Sequence, residues 1–169
     1  RLNFSGTVGY LDAQYDEFVT NIPGPGPVDV ADFRRIQNTP KWTLSGTLDY
    51  TMPVAGGELS AVTTLSYRSK TFQFETPSPF LDQPGYALWD ASLVWTSPNE
   101  RYTIGIHARN ILDEQYITSG YQFLATDPVT GVPLLTAGGN VIPTLGREGI
   151  ATAFYGNPRQ VFLSLGINF

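Results

Sequence analysis

Cysteine is absent from the 169 residues, histidine occurs once, and Asp, Glu, Lys and Arg together supply only 15%. Without cysteine there are no disulfides and no thiolate metal ligands, a restriction compatible with any compartment. The single imidazole, His107, cannot build a metal centre alone, because such a site needs several converging ligands. No Gly-x-Ser-x-Gly elbow, Walker loop or dinucleotide fingerprint occurs, and His107 has no evident Ser and Asp partners, so the chain reads as non-enzymatic and without cofactor. A formal charge of −5 argues against nucleic acid as partner, since phosphate neutralisation needs clustered Lys and Arg. No stretch approaches the roughly 20 consecutive apolar residues of a membrane-spanning helix, which excludes a helical membrane protein.

What is present favours strands: Tyr, Phe and Trp make up 13% of the chain, with abundant Gly, Thr and Ser. From Lys41 to Met52 the side chains divide by parity, with Trp42, Leu44, Gly46, Leu48, Tyr50 and Met52 opposing Lys41, Thr43, Ser45, Thr47, Asp49 and Thr51. The same period of two runs through Leu2 to Tyr10, Leu59 to Lys70 with Val62 as the apolar intruder, Tyr86 to Thr96, Arg101 to Arg109, and Gln160 to Phe169. These segments predict six strands, each with an uncharged apolar face of about five positions, close to the 9 to 11 tilted residues needed to cross a bilayer. Aromatics cluster toward the ends of several faces, as at membrane interfaces.

Two short turns, around 53–57 and 97–100, alternate with longer loops near 18–40, 75–85 and 117–157. Short turns on one side and long loops on the other is the layout of an antiparallel transmembrane β-barrel. The Pro23-Gly24-Pro25-Gly26-Pro27 run reads as a stiff, hydrogen-bond-free crossing within the first loop. Six strands cannot close a barrel, and an open edge is not tolerated in hydrocarbon, so partner strands are required. Arg1 opens mid-strand and no signal peptide is present. The reading therefore expects the rest of the barrel upstream in the same protein, several chains sharing one barrel being the alternative.

Asn110-Ile111-Leu112-Asp113-Glu114-Gln115-Tyr116 resembles the Asn-Leu-x-Asp-x-x-Tyr element near the C-terminus of TonB-dependent outer-membrane receptors, with Ile111 in the Leu place. The stretches Pro84 to Trp95, Tyr102 to Tyr116 and Asn157 to Phe169 are similar to that family in order and spacing. The resemblance implies an all-β fold in which residues 1–169 form about the last six strands of a barrel of about 22, with the plug domain and earlier strands absent. It also implies a receptor in the outer membrane of a Gram-negative bacterium. Such a receptor imports a scarce, bulky solute of the siderophore, cobalamin or oligosaccharide type, energised by the TonB complex through the plug. A passive porin or channel and a structural or adhesive barrel are the rival readings. The terminal strand, with Val161, Leu163, Leu165, Ile167 and Phe169 on one face, resembles the signal read by the outer-membrane assembly machinery, and a free edge can recruit strands by β-augmentation.

By parity Arg68, Lys70, Asp90, His107 and Arg109 face the lumen, where a solvated wall is the simplest role and contact with the plug the alternative. Asn110, Asp113 and Tyr116 carry the family element and are also ordinary turn formers. In the longest loop Tyr121, Phe123, Phe154 and Tyr155, interspersed with Gly131, Gly138, Gly139, Gly146 and Gly149, are candidate ligand contacts, the alternative being that the rings pack the loop on its neighbours.

Overall fold

The computed structural model describes residues 1–146 and 150–169; Gly149 of the long loop lies outside them. Ten strands occur among the described residues: β1 (Leu2–Tyr10), β2 (Val19–Ile22), β3 (Gly26–Asp29), β4 (Trp42–Val54), β5 (Gly57–Arg68), β6 (Tyr86–Thr96), β7 (Tyr102–Arg109), β8 (Ile117–Phe123), β9 (Ile150–Tyr155) and β10 (Gln160–Ile167). Six of them form one antiparallel sheet in the order β1-β4-β5-β6-β7-β10. These are the six strands that parity picks out. No helix among the described residues is long and apolar enough to cross a membrane.

Register carries the parity from strand to strand. Phe4 sits opposite Leu48, Leu44 opposite Tyr67, Leu65 opposite Trp89, Leu93 opposite Ile106, and Ile106 opposite Leu163. One face of the sheet is thus apolar apart from Thr63, which lies opposite Leu48 and accepts from the Trp89 indole, and a one-residue slip anywhere would break it. The rings and aliphatic chains of that face stand exposed, as residues destined for a hydrocarbon solvent must. The opposite face pairs Thr47 with Thr64, Thr64 with Asp90, and Ser92 with His107. Tyr10 and Trp42 pack at 4.6 Å where the long loops begin, while the indole of Trp95 donates to the carbonyl of Val54 beside the short turns. The apolar band is therefore bounded by aromatics at both ends.

The first short turn is tighter than its Pro53 to Gly57 span suggests. Val54 pairs with Gly57, leaving a two-residue loop of Ala55 and Gly56 at φ 52° and 74°. Positive φ at both positions is the turn geometry that matches the twist of a hairpin. Pro53 belongs to β4 and pairs with Glu58. The Thr51 N–H donates to the Arg1 carbonyl, and Pro53, two residues on, has no N–H to offer on the same side of β4.

The long connections differ most from expectation. The Pro-Gly run is no free crossing: with Gly24 at φ 98° and Gly26 at 87°, it closes a hairpin that pairs Asn21 with Pro27 and Ile22 with Gly26. The longest loop is built on a two-stranded ribbon, β8 with β9, bulged between Ile117 and Ser119. β10 ends at Ile167, so Phe169 lies past the strand and is fully exposed.

The buried hydrophobic residues, Ile22, Val30 and Leu81, all lie in the connections rather than in the sheet. The chain therefore packs a small core of its own only at the long-loop end. Residues 31–38 hydrogen-bond to 72–75, through Arg35 N–H to the Glu75 carbonyl and Asn38 N–H to the Phe72 carbonyl. The segment 76–83 in turn supports the longest loop. Gln122 donates to Ser78 Oγ, Gln83 Oε1 accepts the Ile117 N–H at 2.6 Å, and Gly120 lets β8 lie against Leu81, whose side chain would collide with any Cβ there.

Candidate functional site

Several of the candidate residues gather at the long-loop end, at the rim of the polar face. Arg68 and Tyr86 sit opposite each other where β5 and β6 leave the sheet, both on the polar face. Tyr86 stacks on Tyr116 with centroids 4.6 Å apart and planes 13° from parallel. Together with Asn38, Thr71 and Gln73 these three side chains line a recess of about 230 Å³ between the sheet rim and the loops. Of the lining residues, parity singled out Arg68 and the family element Tyr116. Asn38, Thr71, Gln73 and Tyr86 escaped, although Thr71, Gln73 and Glu75 alternate with Phe72 and Phe74, a period of two that could have marked an ordered segment.

The family element forms a corner. Asn110 is 5% exposed and adopts φ 47°, a left-handed conformation that Asn tolerates better than most residues. Its backbone N–H donates to Asp90 Oδ1 at 2.8 Å, and its side-chain amide donates to the carbonyls of Glu114 and Asn157. The side-chain oxygen accepts from the Glu114 N–H. Together the backbone N–H and the side-chain amide of Asn110 join β6, the turn after β7 and the approach to β10. Asp113, at φ 56°, accepts the Arg159 N–H at 2.9 Å. The Tyr116 ring fills the space that a side chain on Gly156 would need, and the Tyr116 carbonyl accepts the Gly156 N–H.

Of the five residues that parity assigns to the lumen, Arg68, Asp90, His107 and Arg109 lie on the polar face of the sheet. Asp90 is committed to Asn110, and Arg109 stands over the Phe162 ring at 5.6 Å. His107 is more than a solvated wall: its ring nitrogens contact the hydroxyls of Ser92 at 3.0 Å and Ser164 at 2.9 Å, and the ring stacks on Phe162. Through these two contacts the imidazole joins three strands. Lys70 departs from expectation, because β5 ends at Arg68 and parity does not extend past a strand. It lies in the loop and pairs with Asp82 at 3.2 Å, as does Arg35 at 3.7 Å, and both cations lie over the Phe72 ring.

The loop aromatics are only partly brought together. Tyr121 lies 5.7 Å from Phe123 and 6.2 Å from Phe154, all on one exposed face of the β8–β9 ribbon, whereas Tyr155 falls on the opposite parity. None of these four lines the recess. Three carboxylates in the cluster are held below the ordinary carboxylate range. For Asp29 the cause is the backbone N–H groups of Phe18 and Ala31; for Asp127 it is chiefly the Thr130 backbone N–H; for Asp12 it is the ammonium of Lys41. Among the described residues no three His, Cys, Asp or Glu side chains converge as a metal site.

Residues 1–111 match the family described as TonB dependent receptor-like, β-barrel. Among solved structures the chain is similar to the ferric yersiniabactin uptake receptor FyuA from Yersinia pestis, at 20% identity and a TM-score of 0.56. That likeness covers 80% of this chain and 17% of the receptor, so the chain spans only a small part of that protein's length. No match is found among curated proteins.

Proposed function

Because the chain belongs to the TonB-dependent receptor-like β-barrel family, we propose that it supplies part of the wall and mouth of an outer-membrane receptor in a Gram-negative bacterium, one that imports a scarce, bulky solute. Siderophore, cobalamin and oligosaccharide types are the candidate solutes. The observation that carries this reading is the two-sided sheet: one face uncharged and predominantly apolar, the other carrying the charged and most of the polar side chains, with ordered loops at one end only. In that reading the loops capture the solute outside, the polar face borders the lumen, and a plug carried by the rest of the protein responds to the TonB complex. The other strands of the barrel pair with the edges left by β1 and β10, because unpaired backbone groups are not tolerated in hydrocarbon. The likeness to a ferric yersiniabactin uptake receptor supports the fold, and an iron-chelate solute is one candidate among the three.

Accumulation of labelled ferric siderophores, cobalamin and oligosaccharides in a strain lacking the receptor tests the reading. Loss of one class, reproduced when TonB is removed, is the expected result. Uptake that persists without TonB replaces this reading with a passive channel, and no uptake defect for any of the three favours a structural or adhesive barrel.

A further inference from the structure

The recess at the rim of the polar face is lined mostly by polar side chains that make no side-chain hydrogen bond among the described residues. Gln73 is only 8% exposed, and its side-chain amide has no hydrogen-bond partner among the described residues. The same is true of the guanidinium of Arg68, the amide of Asn38, the hydroxyl of Thr71 and the phenols of Tyr86 and Tyr116. Thr71 and Gln73 are buried while Arg68 and Asn38 stand exposed, so the recess opens to solvent with its donors free to meet a ligand or ordered water. Arg68 is the sole formal charge in the lining and has no carboxylate partner among the described residues. Elsewhere in the loops Arg35 and Lys70 share Asp82 and Lys41 holds Asp12, while Arg34 is met by the Val129 carbonyl.

We propose that this recess is a subsite for a carboxylate carried on a planar ring of the incoming ligand, a refinement that rests on the receptor reading above. A guanidinium presents donors in a fork that matches the two oxygens of a carboxylate. The amides of Asn38 and Gln73 and the Thr71 hydroxyl supply further donors around the same space, and the stacked Tyr86 and Tyr116 form an aromatic wall against which a flat ring packs. The volume of about 230 Å³ is below the roughly 300 to 1,000 Å³ that encloses a whole drug-sized ligand, so the recess holds one substituent and leaves the remainder to the loops. Tyr116 is fixed over Gly156 and thereby attached to the Asn110 corner, so the wall is formed before the ligand arrives.

The test uses the intact receptor that contains this chain, purified in detergent, with benzoate as probe. Benzamide provides the ring without the charge, and acetate the charge without the ring. Modification of Arg68 by phenylglyoxal, followed by peptide mass spectrometry, reports occupancy. Benzoate is expected to protect Arg68 better than either control. Benzoate affinity should fall about ten- to a hundredfold in Arg68→Gln, the loss of a charge-assisted hydrogen bond, and by less in Gln73→Leu. Heat-modifiable mobility confirms that each variant is folded, and the wild-type comparison stands even where a variant is not. Equal protection by benzamide or acetate, no protection by benzoate, or unchanged affinity in folded Arg68→Gln overturns the proposal. None of these readouts needs transport, so a receptor that fails the uptake assay yet binds benzoate through Arg68 separates the two conclusions.

Discussion

Asn110 donates its side-chain amide to the carbonyl of Asn157 at 3.0 Å, across 47 positions of sequence. The bond holds the chain leaving β7 against the chain returning toward β10. Asn110→Ala removes it together with both bonds to Glu114 and leaves part-buried backbone groups unpaired. A loss of about 1–3 kcal/mol is expected for such orphaned groups. Urea titration of the refolded receptor, followed by heat-modifiable mobility, measures it. A variant as stable as the parent would show that the corner contributes nothing.

Gly156 and Tyr116 should behave as a coupled pair. A methyl at Gly156 needs the volume the phenol ring occupies, so Gly156→Ala displaces Tyr116 and breaks its stacking on Tyr86. Overpacking of this kind costs roughly 1–3 kcal/mol. Because Tyr116→Ala vacates the space, the double variant should be less destabilised than the two single losses added, by about 0.5 kcal/mol or more. Strict additivity in the same titration would show that the two positions do not touch.

Leu48 lies in the middle of β4 on the apolar face, and its neighbour Thr47 lies on the polar one. Leu48→Arg should cost about 2–4 kcal/mol in a bilayer, the penalty for a cation at the midplane, and Thr47→Arg less than about 1 kcal/mol. Folding into lipid vesicles compares them. Equal penalties would contradict the assignment of the apolar face to lipid.

The Asp29 carboxylate accepts from the backbone N–H groups of Phe18 and Ala31, both at 3.0 Å, and these hold its pKa below the ordinary value. A group whose folded pKa is depressed contributes stability that is complete above its unfolded pKa, about 3.9, and is lost as pH falls through the lower folded value. The β2–β3 hairpin should therefore loosen below about pH 4. Amide hydrogen exchange at Val19–Ile22 should quicken in acid beyond its intrinsic pH dependence, and Asp29→Asn should be loosened already at neutral pH. Indifference of the hairpin to both changes would refute the capping role.

Phe169, fully exposed and just beyond β10, is proposed as part of the assembly signal together with Val161, Leu163, Leu165 and Ile167. Phe169→Ser should lower the yield of heat-modifiable barrel in cells while leaving refolding of the purified receptor unaffected. Undiminished assembly in cells would remove that role.

Strands were legible because a sheet with lipid on one side and polar contacts on the other imposes period two on every segment, whatever its partner. That is why Leu44 and Leu165 could be assigned to one face before any register was known. Loop structure was not legible, since it rests on pairs such as Arg35 with Asp82 and Gln122 with Ser78, which become neighbours only in three dimensions. The Pro23–Pro27 run was misread because proline suggests extension, while the hairpin depends on left-handed backbone at Gly24 and Gly26. Lys70 was misplaced by carrying alternation two residues past the end of β5. The family element could be recognised as text, but the bonds that make Asn110 a corner could not be read from it.

Arg34 donates to the Val129 carbonyl, Arg35 reaches Asp82, and Gln122 holds Ser78, so each long connection leans on another. Selectivity in such a mouth is therefore inherited as a set. A graft of the 69–85 connection alone would leave Arg35 and Gln122 reaching for partners that have gone, whereas exchanging all three connections above the same six strands preserves every mutual support. The natural unit of diversification, and of engineering, is the loop trio.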